Sequence, residues 1–249
     1  MQTIMWKPSK ESIQNSQMST FIKYVNHNFM IQIENYSQLY KWSLEHAEDF
    51  WESFWKFSGI IHHSKYNIVV DDITKMPGAK WFEGSTLNFA ENLLRYKDNQ
   101  IAIRFCGEDG VKSFLTYNSL YDQVAGLASA MKKQGIKKGD RVCGLLPNIP
   151  EAIIAMLASA SIGAIWSSCS PDFGIQGVLD RFKQIEPKII FTADGYKYNG
   201  KVINLFIKLK GILSELPSIQ RTIIIPFISN GESVKISKSI LWDDFIDSF

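Results

Sequence analysis

The sequence has too few cysteines for a disulfide-stabilised scaffold. Its three cysteines, Cys106, Cys143 and Cys169, are odd in number and far apart in the chain. They form neither a disulfide framework nor the C-x-x-C spacing of a metal knuckle. We therefore expect each cysteine to be a small buried apolar side chain in a protein of a reducing compartment.

Long apolar runs and secretion signals are also lacking. The longest apolar run, residues 152–166, is shorter than the roughly 20 residues that a membrane-spanning helix needs. It is also interrupted by Ser159, Ser161 and Gly163. The N-terminus has no apolar core with a small-residue cleavage site, which a secretory signal would have. These features predict a cytoplasmic protein with no membrane as a partner.

Neither sign of charge is in excess. Lysine and arginine number 27 and aspartate and glutamate number 25, which gives a net charge of +2, and the charges are interspersed. Sequence-independent binding to nucleic acid depends on a basic surface that releases counterions from the phosphates. The charge balance therefore predicts that nucleic acid is not a partner.

Several motifs that carry well-known chemistry do not occur. The sequence contains no G-x-x-x-x-G-K-[ST] phosphate loop, no G-x-G-x-x-G dinucleotide loop and no G-x-S-x-G hydrolase elbow. Its four histidines, His27, His46, His62 and His63, lack the spacing of metal ligands. By itself, the chain shows neither a metal site nor a loop that would hold the phosphates of ATP.

An aromatic helix is the clearest feature of the N-terminal part, whereas residues 1–35 are polar and weakly patterned. Five residues follow the helical spacing i, i+3, i+4, i+7 and i+8: Ala47, Phe50, Trp51, Phe54 and Trp55. Gly59 is placed to end this helix. The aromatic stripe predicts a helical N-terminal cap that uses large rings for packing rather than for a ligand.

From about residue 99 the pattern alternates between strands and helices. Strands are predicted at residues 101–105, 111–117, 141–146, 164–168, 188–192 and 221–226, and helices at 119–134, 150–163, 174–184 and 201–216. The first two strands form a hairpin around residues 108–110, and Asn148 is expected to cap the helix that begins at Pro150. Nearly continuous apolar strands separated by helices predict an α/β layered fold with a mostly parallel sheet and crossover helices.

One connection in this alternation has the character of a ligand site. Residues 163–174 join an apolar strand to a helix through polar, turn-forming residues. Ligands collect at the carboxyl ends of strands in open α/β sheets, and Ser170 or Asp172 could cap a helix whose N-terminus faces an anion. A capped turn without a ligand is an equally good interpretation of this pattern.

Several segments closely resemble the adenylate-forming acyl-CoA synthetases, and within them the acetoacetate–CoA ligase branch. They cover most of the chain and include residues 54–60 (FWKFSGI), 87–95 (LNFAENLLR), 137–142 (KKGDRV) and 163–174 (GAIWSSCSPDFG). The resemblance implies a cap of the acetyl-CoA synthetase type over residues 1–98. It also implies that residues 99–249 are the first part of the large AMP-binding domain, an incomplete adenylate-forming fold.

The resemblance also implies a chemistry and its cofactors. Such ligases use ATP, with Mg²⁺ neutralising phosphate charge, to convert acetoacetate to an acyl-adenylate and pyrophosphate, and the thiol of CoA then displaces AMP. The family's phosphate loop, acyl pocket and lysine-bearing C-terminal domain match nothing in this sequence, so no catalytic residue is assigned.

The CoA side of the site is the part that the resemblance places in this chain. Two family arginines that contact the nucleotide end of CoA fall at Tyr198 and Lys201, on either side of Gly200. Lys201 keeps a charge that can meet phosphate, whereas Tyr198 does not. Phe173 is expected to line the path of the pantetheine arm.

Two functions remain open on the sequence alone. The chain is expected to be the N-terminal part of the ligase and inactive alone. In a split ligase, its partner is the rest of the enzyme as a separate chain. The alternative is a non-catalytic module that binds CoA or a partner. A sheet that is cut partway exposes strand residues, so Ile223, Ile224 and Ile225 are expected to be unusually exposed and the chain prone to aggregation.

Overall fold

A computed structural model describes residues 5–228 and 236–247, and the chain divides into two compact units, Met1–Leu87 and Asn88–Phe249. The first unit consists of α1 (Lys10–Gln14), α2 (Gln17–Phe29), α3 (Tyr36–Glu45), α4 (Ala47–Ser58), β1 (Ile68–Val70) and β2 (Trp81–Glu83). Strands β1 and β2 pair antiparallel.

The predicted aromatic helix is confirmed as α4, and Gly59 ends it in the left-handed conformation with a φ of 59°. On one side of α4, the rings of Phe57 and Phe21 lie 5.0 Å apart, centroid to centroid. On another side, Trp55 stacks on Phe82 at 4.6 Å. Aromatic pairs at these distances stabilise beyond their area burial, so the stripe serves packing within this unit.

Helices α1 and α2 lie in the stretch that looked weakly patterned in the sequence. The side chains of Ser9 and Ser16 cap them by accepting hydrogen bonds from backbone amides. Phe21, Ile22 and Val25 bury one face of α2. Their spacing of one and four residues is helical, and it is the signal that could have identified α2.

The second unit contains α5 to α10 and β3 to β11. Its elements are α5 (Phe89–Leu93), β3 (Ile101–Cys106), β4 (Lys112–Thr116), α6 (Tyr117–Lys133), β5 (Arg141–Leu145), α7 (Pro150–Ser161), β6 (Ile165–Cys169), α8 (Ile175–Ile185), β7 (Ile189–Ala193), β8 (Gly195–Tyr198), β9 (Lys201–Asn204), α9 (Phe206–Ser214), β10 (Arg221–Ile225), β11 (Ser239–Leu241) and α10 (Trp242–Asp247).

The predicted parallel sheet is confirmed. Five strands lie in the order β11-β10-β7-β5-β6, and every neighbouring pair is parallel. Helices cover both faces: one core cluster joins α6, α7 and α10 to the sheet, and the other joins α8 and α9 to it. In β7, Phe191 belongs to the first cluster and Ile190 to the second, as the alternation of side chains along a strand requires.

Two hairpins stand outside this sheet. The predicted hairpin is confirmed as β3 and β4, which pair only with each other in the described residues. The predicted helix over residues 201–216 is wrong in its first part, because residues 195–204 form the antiparallel hairpin of β8 and β9 and the helix begins at Phe206.

The expected exposure of the isoleucines in β10 is wrong. Ile223, Ile224 and Ile225 are 0%, 5% and 4% exposed. Strand β10 pairs with β7 on one side and β11 on the other, while α10 packs against the same region of the sheet. These neighbours bury the strand without any further chain.

Two smaller expectations are also corrected. The N-cap of α7 is Ile149 and makes no side-chain cap, so Asn148 does not have the predicted role, although Pro150 occupies the first turn as expected. Cys143 and Cys169 are buried, but Cys106 lies exposed at the end of β3.

None of the described helices is long and apolar enough to cross a bilayer.

Replacing Ile223 by alanine is expected to lower the free energy of unfolding by about 2–5 kcal/mol, because removing a fully buried isoleucine leaves a cavity. Ile207 in α9 is 87% exposed, so the matched control Ile207→Ala is expected to change it by less than about 0.5 kcal/mol. Urea unfolding followed by circular dichroism measures both variants. Equal effects would contradict the burial of β10.

Candidate functional site

A cleft of about 460 Å³ lies at the carboxyl ends of β5 and β6 in the second unit. Its walls come from six parts of the chain: residues 105–109 at the end of β3 and its turn, 146–149 after β5, Ala152 in α7, 168–172 at the end of β6 and beyond, 196–198 in β8, and Phe227 after β10. Open α/β sheets bind ligands at this end of their strands. The position therefore agrees with the ligand site that residues 163–174 suggested.

The turn after β6 is held by hydrogen bonds within itself and to β8. The Ser170 hydroxyl lies 3.0 Å from a carboxylate oxygen of Asp172 and accepts from the Asp172 amide at 3.3 Å. Burial of the Tyr196 hydroxyl and its hydrogen bond to Asp172 raise the pKa of Tyr196 to about 12. Tyr196 thus remains a protonated donor at neutral pH, and it ties β8 to this turn.

A lysine from α9 holds the same turn from its other side. The Lys208 ammonium donates to the backbone oxygen of Pro171 at 2.6 Å and to that of Phe173 at 3.1 Å. The Phe173 ring is 40% exposed and lies under the Arg181 guanidinium, 4.4 Å from it, so this ring makes a cation–π contact. Residues 170–173 are therefore held by α8 and α9 as well as by their own hydrogen bonds.

The predicted side-chain cap of α8 is wrong. The N-cap of α8 is Gly174, with no side-chain hydrogen bond, and Ser170 and Asp172 bond to each other instead. Both of these residues line the cleft.

The β8–β9 hairpin carries three of the four residues expected to contact CoA. Asn199 and Gly200 have φ values of 49° and 72°, and positive φ at both central residues defines the type I′ turn that Asn-Gly favours. This turn makes Tyr198 and Lys201 a directly opposed cross-strand pair. The Asn-Gly dipeptide is the sequence signal that could have identified the hairpin.

The four expected contact residues differ in their relation to the cleft. Tyr198 lines it and is 57% exposed. Phe173, Gly200 and Lys201 are not among the described residues of its walls. Lys201 is the cross-strand partner of Tyr198, Gly200 lies in the turn between them, and Phe173 follows Asp172, so all three lie beside the rim.

Three charged side chains at the rim have partners. The Lys197 ammonium pairs with the Asp109 carboxylate, and this hydrogen bond lowers the pKa of Asp109. Glu108 accepts a hydrogen bond from the Asn199 amide at 2.9 Å. The two acidic side chains are thus engaged by the β8–β9 hairpin.

The Cys169 thiol in the cleft is not activated. Cys169 lies in the wall of the cleft, and burial raises the pKa of its thiol, so the nucleophilic thiolate is disfavoured at neutral pH. In residues 5–228 and 236–247 no group of three or more His, Cys, Asp or Glu side chains could hold a metal ion. The chemistry that these residues offer is binding by hydrogen bonds, aromatic surface and lysine charge.

A buried carboxylate, that of Asp194, supports one wall of the cleft. Asp194, at the end of β7, is 1% exposed and accepts hydrogen bonds from the amides of Phe227 and Ile228 at 2.8 and 2.9 Å. It holds the segment after β10 in place, and with it the Phe227 wall of the cleft. The sequence contained no pattern that singled out Asp194.

Comparisons with known proteins agree with this fold. The family model described as "AMP-binding enzyme" matches residues 89–243, and that of the "Acetyl-coenzyme A synthetase N-terminus" matches residues 36–93. The chain is 46% identical to an acetoacetyl-CoA synthetase of Macaca fascicularis over 98% of its length. It is 40% identical to the acetoacetyl-coenzyme A synthetase of Rhizobium meliloti, again over 98% of its length.

A solved structure shows the same architecture. Acetoacetyl-CoA synthetase from Streptomyces lividans matches 97% of the chain with a TM-score of 0.88 and 34% sequence identity. The chain spans about 37% of the length of that structure and 37–38% of these two curated relatives. The resemblance carried by the sequence motifs is confirmed, and the chain belongs to the family of AMP-binding enzymes.

Proposed function

We propose that this chain is the N-terminal part of an ATP-dependent acetoacetate–CoA ligase and provides the CoA-facing side of its site. In that reaction the acetoacetate carboxylate attacks the α-phosphorus of ATP and expels pyrophosphate. The sulfur of CoA then attacks the acyl carbon, and AMP leaves with the bonding electron pair. Identity of 40–46% to acetoacetyl-CoA synthetases along almost the whole chain supports this assignment.

The observation that carries the proposal is the placement of the β8–β9 hairpin. Its type I′ turn sets an aromatic ring, Tyr198, and an exposed cation, Lys201, side by side at the rim of a cleft at the carboxyl ends of β5 and β6. The nucleotide end of CoA consists of a base with an aromatic face and of phosphate groups. A ring and a lysine in this arrangement match those two features.

Each proposed contact has a physical role. Lys201 meets phosphate as a point charge, and Gly200 permits the positive φ that turns Lys201 back toward Tyr198. Tyr198 stacks on the base and takes the place of a charge contact. Phe173 borders the path of the pantetheine arm toward residues 168–172. We assign no residue of this chain to the phosphates of ATP or to Mg²⁺.

The setting proposed for the ligase is the cytoplasm. All three cysteines are free, as is usual in a reducing compartment. Its partners are small molecules, namely acetoacetate, ATP and CoA, together with the remainder of the ligase fold.

The alanine variant of Lys201 tests the CoA contact. We expect Lys201→Ala to weaken CoA binding by about tenfold or more, since a hydrogen bond to a charged group contributes roughly 1.5–3 kcal/mol. Lys210→Ala is the matched control, because Lys210 is also an exposed lysine but lies in α9, outside the walls of the cleft. Isothermal titration of the purified chain with CoA measures both. Equal affinities for the wild type and Lys201→Ala would refute the proposed contact.

A second measurement tests the assignment of the chemistry. Incubated with ATP, acetoacetate, CoA and Mg²⁺, the 249-residue chain is expected to release no pyrophosphate, because its sequence contains no glycine-rich phosphate loop. A radiometric pyrophosphate assay, with an intact acetoacetyl-CoA synthetase as the positive control, measures this. Acetoacetate-dependent release by the chain would show that these residues hold ATP.

A further inference from the structure

The tips of the two isolated hairpins contact each other at the rim of the cleft. The Lys197 ammonium of β8 donates to the Asp109 carboxylate, and the Asn199 amide donates to a carboxylate oxygen of Glu108 at 2.9 Å. These partners are 88 and 91 residues apart in the sequence. Two neighbouring acidic residues on one turn therefore hold two positions on the turn that bears Tyr198 and Lys201.

The base of the β8–β9 hairpin is fixed by different contacts. Gly195 leaves no room for a Cβ, because it packs against the backbone oxygen of Ile203 and the side chain of Ile228. Just after β9, the Leu205 amide donates a hydrogen bond to the backbone oxygen of Asp194 at 3.0 Å. The base is thus built into the second unit.

The tip has no comparable support from the sheet. In the described residues β8 and β9 pair only with each other, and Tyr198 and Val202 are 57% and 64% exposed. A two-stranded hairpin of four residues a strand is marginal by itself in water. The position of its tip therefore depends on the bonds from Glu108 and Asp109.

The turn that provides these carboxylates has hydrogen bonds of its own. The Asp109 carboxylate also accepts from the Val111 amide at 3.2 Å, and Gly110 takes a φ of 80° within the turn. Strands β3 and β4 continue from it in antiparallel register. Asp109 is therefore oriented by its own hairpin before it meets Lys197.

We propose that Glu108 and Asp109 are positioning residues, which hold the β8–β9 tip so that Tyr198 and Lys201 face the nucleotide end of CoA. Asp109 engages Lys197 rather than Lys201, so one lysine anchors the hairpin and the other keeps its charge for phosphate. Glu108 is engaged by a backbone amide. This assignment rests on the proposed CoA contact of the same hairpin.

Amide hydrogen exchange tests the anchoring without any ligand. In Glu108→Ala the Asn199 amide loses its acceptor, so we expect it to exchange about tenfold faster, as loss of a hydrogen bond to a charged group implies. The amides of the buried strand β7 provide the internal reference and are expected to keep their rates. Unchanged exchange at Asn199 would overturn the anchoring. If Glu108→Ala does not fold, the nearly isosteric Glu108→Gln takes its place, with a smaller acceleration expected.

The affinities of the Asp109 variants for CoA and for 3′-dephospho-CoA test whether the anchoring affects ligand binding. We expect Asp109→Asn to weaken CoA binding by up to about fivefold, the upper end for loss of a partly exposed charge pair, while Asp109→Glu, which keeps the carboxylate, restores most of the affinity. Binding of 3′-dephospho-CoA is expected to change less, because it lacks one phosphate for Lys201 to meet. Glu215→Gln is the matched control, since it removes the exposed pair of Lys183 and Glu215, which lies outside both hairpins.

The outcomes separate this inference from the function on which it rests. Full CoA affinity in Asp109→Asn, together with weak binding in Lys201→Ala, would overturn the positioning role and leave the CoA contact standing. Full affinity in Lys201→Ala would instead refute the CoA contact, and the exchange rate of Asn199 would then decide the anchoring alone. An equal loss in Glu215→Gln would show that the effect is not specific to the hairpin contact.

Discussion

Burial of a parallel sheet on both faces is the constraint on which the second unit depends. The order β11-β10-β7-β5-β6 places strands with almost no exposed apolar residues between two layers of helices. Since neighbouring strands of a parallel sheet run in the same direction, their carboxyl ends meet at one edge. The cleft lies at that edge because the segments after β5 and β6 cannot be anywhere else. Its location is thus a consequence of how the core is buried.

Polar contacts turn this edge into a preorganised surface. Tyr196 and Lys208 hold the turn after β6 from β8 and α9, while Asp194 holds the segment after β10. None of these bonds belongs to the regular ladder of the sheet. Groups fixed in this way lose little conformational entropy when a ligand binds. The same principle applies to the tip of the β8–β9 hairpin, where Glu108 and Asp109 provide the anchors.

Two errors made from the sequence show what local patterns leave undecided. Val202, Ile203, Leu205 and Phe206 have the i, i+1, i+3 and i+4 spacing of a helical face. The type I′ turn at Asn199 and Gly200 instead makes residues 201–204 a strand. For β10, the apolar character of Ile223 to Ile225 indicated a strand but not its neighbours. Pairing with β11 and packing of α10 bury it, and both contacts are formed by residues that follow it in the chain.

The sequence by itself determined the aromatic helix α4, the alternation of strands and helices, and the family, because periodicity and motif spacing are local properties of the chain. It also indicated residues 163–174 as a candidate connection for a ligand site, with a capped turn as the alternative. Only the tertiary structure decided which polar groups meet there. The bond between Tyr196 and Asp172 and the contact of Lys197 with Asp109 join residues far apart in the sequence. Such pairings depend on the register and packing of whole elements, for which no short pattern of residues carries a signal.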